Sequence, residues 1–201
     1  MGRPKRDSED IYQIKISLVG SRPPIWRRLL VSSLMTLEQL HHAIQISMGW
    51  SDSHLHLFRV GEELYGPSDP EDLESRDERT AKLTLLLRNR SKARYTYDFG
   101  DDWEHEIIIE EVLKPSRLID VPACTGGKRQ CPPEDCGGLG GFYDLVEAIA
   151  DPQHKSHREL VEWLGGRFDP EEFSIEHAHR ELAVLRKKKR TTPATSEGEP
   201  D

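Results

Sequence analysis

The sequence predicts an α+β fold in which a mostly antiparallel sheet comes first and helices follow. Three observations predict it. Apolar and polar residues alternate between 12 and 18, a capped stretch of helical periodicity runs from 36 to 49, and three further helical stripes follow residue 141.

Tyr12, Ile14, Ile16 and Leu18 share one face and Gln13, Lys15 and Ser17 the other, the pattern of a half-buried strand. A turn at Gly20-Ser21-Arg22-Pro23-Pro24 leads to a second strand at Ile25–Val31, so the chain opens as a hairpin. Thr36 and Gln39 have capping-box spacing, and Leu37, Leu40, Ile44 and Met48 recur at helical intervals until Gly49. A third strand is expected over His54–Val60, with His54, His56, Phe58 and Val60 on one side and Leu55 and Leu57 on the other. Residues 61–81 carry Pro67, Pro70 and a run of acids, which reads as a long surface excursion, and Leu83–Leu87 reads as a fourth strand.

The hairpin of residues 95–109 is the most informative element. An odd loop at Gly100-Asp101-Asp102 pairs Phe99 with Trp103 and Tyr97 with His105, so all the aromatics meet inside. The same register sets Asp98 opposite Glu104 on the outer face, where like charges cost stability unless a cation neutralises them. An irregular Cys/Pro/Gly segment then runs to Gly141. Helical stripes follow at Phe142, Leu145, Val146 and Ile149; at Leu160, Val161 and Leu164 behind a Ser156/Glu159 capping box; and at Ile175, Ala178, Leu182 and Leu185 behind Ser174.

The chain of 201 residues fits one domain, taken as 11–190, with tails at 1–10 and 191–201 that hold nothing to bury and are expected to be disordered. At 35% hydrophobic and 32% charged, apolar residues must be concentrated on inner faces. A net charge of -8 repels phosphate polyanions and disfavours nucleic acid as partner, although Arg27, Arg28 and the run Arg186–Arg190 can touch phosphates. No run has the roughly 18 apolar residues a membrane span needs, and the start lacks a signal peptide's apolar stretch, so no membrane and a cytoplasmic location are expected. Three cysteines are too few, and odd in number, for a disulfide framework.

Asp98, Asp101, Asp102 and His105, with Glu104, are the candidates for an acid/base or divalent-metal site. Strand parity turns His105 away from Asp98 and Glu104, so the preferred reading makes the acids turn formers. Asp98-Phe99-Gly100 matches the kinase metal-binding tripeptide, but no glycine-rich or catalytic loop accompanies it. Cys124, Cys131 and Cys136 are the candidate zinc ligands, with His105, His154 or His157 as fourth donor; the competing reading is three small, half-buried thiols without metal. His41, His42, His54 and His56 form a second neighbourhood, read as core or boundary histidines or, with Trp50, as the lining of a small-molecule or peptide cleft.

Four strings then carry a family likeness: Arg22-Pro23-Pro24-Ile25-Trp26-Arg27-Arg28; Met48-Gly49-Trp50 with His54-Leu55-His56-Leu57-Phe58; Tyr97 through His105; and Cys131-Pro132-Pro133-Glu134-Asp135-Cys136-Gly137-Gly138. Over residues 11–185 the chain resembles the Ri-plasmid Orf-three-like domain family, whose members are labelled insertion-element passenger TnpR proteins. The resemblance implies a fold and a bacterial plasmid or mobile-element setting without an assigned reaction. A resolvase would need a Ser nucleophile among clustered arginines, and Ser21 lies instead in a proline turn. The leading expectation is a non-enzymatic binding or interaction module that meets a protein or small-molecule partner through its sheet and acidic hairpin face. The alternative is a metal-dependent enzyme, a hydrolase or nuclease, using the Asp98–His105 hairpin or the cysteine segment.

Overall fold

The alternation at the start of the chain becomes strand β1 (Ile11–Leu18) in the computed structural model, which describes residues 9–68, 74–88, 91–116 and 118–190. The other strands are β2 (Trp26–Ser32), β3 (His56–Val60), β4 (Glu63–Gly66), β5 (Arg76–Asp77), β6 (Lys92–Tyr97), β7 (Trp103–Leu113) and β8 (Ala123–Lys128). They form one sheet in the order β5-β4-β3-β6-β7-β1-β2-β8, antiparallel throughout except at the short β4–β5 pair. Helix α1 (Leu37–Met48) follows the opening hairpin as its periodicity requires.

One face of the sheet carries the core. Tyr12, Ile14, Ile16 and Leu18 of β1 join Leu29, Phe58, Tyr95, Trp103 and Ile107, and α1 adds Leu37, Leu40, Ile44 and Met48 to the same cluster. Each large apolar side chain buried there contributes roughly 1.5–3 kcal/mol of transfer free energy. The other face is polar. Its hairpin acids are neutralised within the chain: Arg94 lies 3.3 Å from Glu104 and 3.7 Å from Glu106, and Arg28 forks onto Glu110 at 2.5 and 2.9 Å. The Arg28 guanidinium holds the Glu110 carboxyl below its ordinary value.

Both signals that bound α1 are realised. Thr36 Oγ1 accepts from the Gln39 amide at 3.2 Å, the Gln39 side chain accepts from the Thr36 amide at 3.1 Å, and Gly49 ends the helix at φ 90°. Thr36→Ala is therefore expected to cost about 1 kcal/mol, seen as a lower urea midpoint at unchanged slope. An unshifted midpoint would show that the box contributes nothing.

The structure departs from expectation in five places. Leu83–Leu87 is not a strand: Thr84–Arg88 is a short helix, α2, because Leu83 and Leu86, three apart, both turn into the core. The excursion at 61–81 contains β4, β5 and one 3-10 turn, Glu78–Thr80, that buries Glu78. The hairpin pairs Tyr97 with Trp103 and Tyr95 with His105, two residues off the expected register, so Thr96 rather than Asp98 faces Glu104. The cause is Asp98, whose φ of 57° and acceptance of the Gly100 amide at 2.9 Å end the pairing early and leave Phe99 57% exposed. The strand at His54–Val60 begins only at His56. Among the later helices, α3 (Gly138–Ala150) buries Phe142 and Leu145, but α4 (His157–Leu164) buries no residue, Val161 is exposed, and Ser156 makes no side-chain cap.

Ser174 Oγ does cap α5 (Ile175–Glu181), and Ala178 and Leu182 reach the core, though Ile175 stays exposed. The chain then enters α6 (Ala183–Arg190). Of the expected tails, residues 1–8 and 191–201 lie outside the described residues, as do the side chains of the basic run beyond Arg186. Asp10, counted with the first tail, is tied to Ser33 by two hydrogen bonds of 2.8 and 3.0 Å. No described helix is long and apolar enough to cross a membrane.

Candidate functional site

Three connecting segments meet at one end of the sheet: the loop between α1 and β3, the turn at 98–102 and the loop that leads into α3. Trp50 stacks on Tyr97 with ring centres 5.1 Å apart, and its Nε1 donates to the Pro132 carbonyl at 2.9 Å. The Tyr97 hydroxyl donates to Glu134 Oε1 at 2.5 Å, and Ser51 donates to Oε2 from both its amide (2.9 Å) and its hydroxyl (2.6 Å). The Gly137 amide donates to Asp101 Oδ2 at 3.1 Å. Gly138, at φ 68°, admits this approach because a Cβ there would lie 2.7 Å from the Asp101 carbonyl oxygen.

Two sets of metal-ligating side chains converge among the described residues: His54, Asp98 and Asp135, and His41, His42 and Asp52. In the first, His54 Nε2 lies 3.2 Å from Asp135 Oδ1 and 3.7 Å from Asp98 Oδ2. In the second, His41 Nε2 is hydrogen-bonded to Asp52 Oδ1 at 2.7 Å and His42 Nδ1 stands 3.4 Å from Oδ2. Asp52, Asp98 and Asp135 all hold left-handed backbone conformations, at φ 61°, 57° and 60°, which aspartate tolerates better than most residues.

A buried relay lies behind the second set. Gln45 Nε2 donates to the Tyr95 hydroxyl at 3.0 Å, and that hydroxyl stands 2.8 Å from His41 Nδ1. Every group is satisfied when Tyr95 donates to Nδ1 and His41 donates from Nε2 to Asp52. His41 stacks on His56 at 3.5 Å, and His56 Nε2 contacts Glu78 Oε2 at 2.8 Å. Burial pushes the His41 imidazole well below its ordinary value, neighbouring His56 adds to this, and Asp52 opposes it.

Of the hairpin candidates, Asp98 alone enters a convergent set. His105 is fully buried against Trp50 and Tyr95, with no hydrogen bond at either ring nitrogen, so it forms no acid/base pair with Asp98. Asp101 is committed to the Gly137 amide, and Asp102 stands exposed on the turn.

The three thiols occupy separate surroundings. Cys124 Sγ donates to the Gly126 carbonyl, Cys131 Sγ lies between Arg27 Nη2 (3.3 Å) and Met48 Sδ (3.0 Å), and Cys136 Sγ faces the Gly138 carbonyl. None belongs to a convergent set among the described residues. His157 Nδ1 is bound to the Ala148 carbonyl, and His154 Nδ1 accepts from the Ser156 amide. Burial raises all three thiols, Cys136 to about 12 with the charges of Asp101 and Asp135 adding. Ser21 is no exposed nucleophile either: it is buried, accepting from the Ile25 amide and donating to the Leu18 carbonyl.

Asp52, Glu134 and Asp135 were not singled out as site residues from sequence. The available signal was Ser51-Asp52-Ser53-His54, a polar loop directly after a helix stop. A cavity of about 290 Å³ borders the site at Trp50 and Glu134. The larger cavity, about 650 Å³, lies away from these groups and shares only His42 with them.

A family model described as plasmid pRiA4b ORF-3-like protein matches residues 10–177. Uncharacterized protein y4hQ of Sinorhizobium fredii is 37% identical over 160 residues, covering 77% of this chain and 81% of that protein. The crystal structure of MM3350, a protein of unknown function from Methanosarcina mazei Go1, superposes with a TM-score of 0.77 at 38% identity, covering 84% of this chain and 97% of that one.

Proposed function

The chain belongs to the plasmid pRiA4b ORF-3-like family, and from that premise we propose that it is a non-enzymatic binding module whose recognition surface is the loop end of the sheet. One observation carries the reading. Leu55 and Phe99 are 65% and 57% exposed, on backbones joined by the Asp98 amide to Leu55 carbonyl hydrogen bond of 2.9 Å, Phe99 on the turn that carries Asp98 and Asp102 and Leu55 next to His54, which Asp98 and Asp135 face. Two apolar anchors in an anionic rim suit a protein partner that offers an apolar pocket edged by Lys or Arg, the anchors supplying affinity and the rim orientation and speed of encounter. The outer sheet face does not call for such a partner, because its acids are matched by Arg28, Lys92 and Arg94. An Asp98–His105 hydrolase is not supported, since His105 has no route to substrate.

Photo-crosslinking tests this. A benzophenone amino acid at position 99, in a bacterial host lysate, is expected to give one discrete adduct that fades at high salt and is lost in Asp102→Lys/Asp135→Lys. The same label at Leu118, 95% exposed elsewhere on the surface, should give none. No adduct at 99, or identical adducts from both positions, would remove the reading.

A further inference from the structure

We propose that His54, Asp98 and Asp135 form a binding site for one divalent transition-metal ion, a site separate from the three thiols. Its geometry is that of a ligand set more than of an ion pair. A tetrahedral ion with bonds of about 2.0–2.1 Å holds its ligand atoms roughly 3.3 Å apart. The separations of 3.2 and 3.7 Å from His54 Nε2 bracket that edge, and the longer one exceeds hydrogen-bond reach. The His41–Asp52 contact, at 2.7 Å, is already a formed hydrogen bond that a metal would have to break.

Asp98 supplies the second, independent observation. The residue is 8% exposed, and its Oδ1 takes the amides of Gly100 (2.9 Å) and Asp101 (3.4 Å). Its Oδ2 faces His54 Nε2 at 3.7 Å and takes no hydrogen bond among the described residues. A buried carboxylate with one oxygen fixed by backbone donors and the other free is oriented as ligands are oriented by their outer shell. The other two ligands are held from separate segments, with Asp135 following the Glu134 that Ser51 and Tyr97 fix. An imidazole in the set favours zinc, cobalt or nickel over magnesium or calcium. Three protein ligands leave a fourth position, open past the 70% exposed Asp135 side chain, for water or a donor atom of a bound molecule.

The test is calorimetric titration of chelator-stripped full-length protein with Zn²⁺, together with Co²⁺ absorption. Saturable uptake of one equivalent and a raised melting temperature are expected. His54→Gln and Asp135→Asn should each weaken uptake by about tenfold or more, with circular dichroism unchanged. Asp135→Asn alters an exposed side chain, so uptake lost in that variant is not lost through unfolding. His42→Asn and Cys136→Ser should leave uptake intact. Non-saturable uptake, uptake indifferent to His54→Gln and Asp135→Asn, or uptake lost in His42→Asn or Cys136→Ser would overturn the site. The site shares Asp98 and Asp135 with the partner surface but not its apolar anchors, so the two fail separately: Phe99→Ala removes an anchor without adding a carboxylate and should leave zinc uptake unchanged.

Discussion

Arg27→Ala is expected to lower the stability of the fold by about 3–5 kcal/mol, more than any other single substitution proposed for this chain. Arg27 lies on β2 and points into the core, where it is 2% exposed. Its Nε donates to the Ser47 carbonyl at 2.8 Å, its Nη1 to the carbonyls of Trp26 (2.9 Å) and Lys128 (3.0 Å), and its Nη2 to Cys131 Sγ at 3.3 Å. The Phe173 ring lies 3.9 Å from the guanidinium. The Ser47 carbonyl sits in the last turn of α1, where carbonyls lack helical partners, so one side chain closes the helix end, holds β8 and caps the ring of Phe173. Truncation would leave these acceptors unsatisfied and a cavity beside them. Arg27→Lys keeps the charge without the planar fork and should recover less than half of the loss. Urea unfolding of the two variants against the parent decides it, and for a domain of this size the Ala variant should melt roughly 10 °C lower. A loss under about 1 kcal/mol would mean that water replaces the guanidinium at little cost.

Arg27 also shows what could and could not be read beforehand. In the sequence it stands beside Arg28 as a phosphate contact, and the structure corrects this: Arg27 shares the inward face of β2 with Leu29 and Val31 and is buried, and nothing local named its acceptors. Period-two alternation in β1 and the Thr36–Gly49 signals were legible because each depends on neighbouring residues. Leu83–Leu87 was not, since a short apolar run fits strand and helix equally until tertiary contacts, here those that bury Leu83 and Leu86, choose. The hairpin failed by two residues because Asp98 spends its side chain on its own turn, which exposes Phe99. The candidate site was half legible. His54 and Asp98 stood in recognisable strings, yet their convergence with Asp135 requires the loop after β8 to fold back across to β3 and β6, and no local pattern encodes that.

The second large effect is on pH dependence. Burial pushes the His105 imidazole down to about 4 from an ordinary 6.5, against the nearby carbonyls of Tyr95 and Trp103, which favour the charged form. The folded state therefore keeps His105 neutral while the unfolded chain takes up a proton below pH 6.5. Between pH 6.5 and 4 the unfolded state binds more protons, so stability is complete above 6.5, falls as pH drops through that window and levels off below 4. The drop from 6.5 to about 4 corresponds to roughly 3 kcal/mol. His41, also lowered, acts in the same direction. Glu110, held below its ordinary 4.5 by Arg28, loses its contribution only at more acid pH, so the two causes separate on the pH axis. Neither His105 ring nitrogen has a well-aligned hydrogen-bond partner among the described residues, and the ring packs on Trp50 and Tyr95, so His105→Phe should still fold at pH 7. Unfolding midpoints from pH 7.5 to 4.5 should fall steeply in the parent and by markedly less in the variant, with the remaining slope due to His41. A variant that declines as steeply as the parent would locate the proton uptake elsewhere.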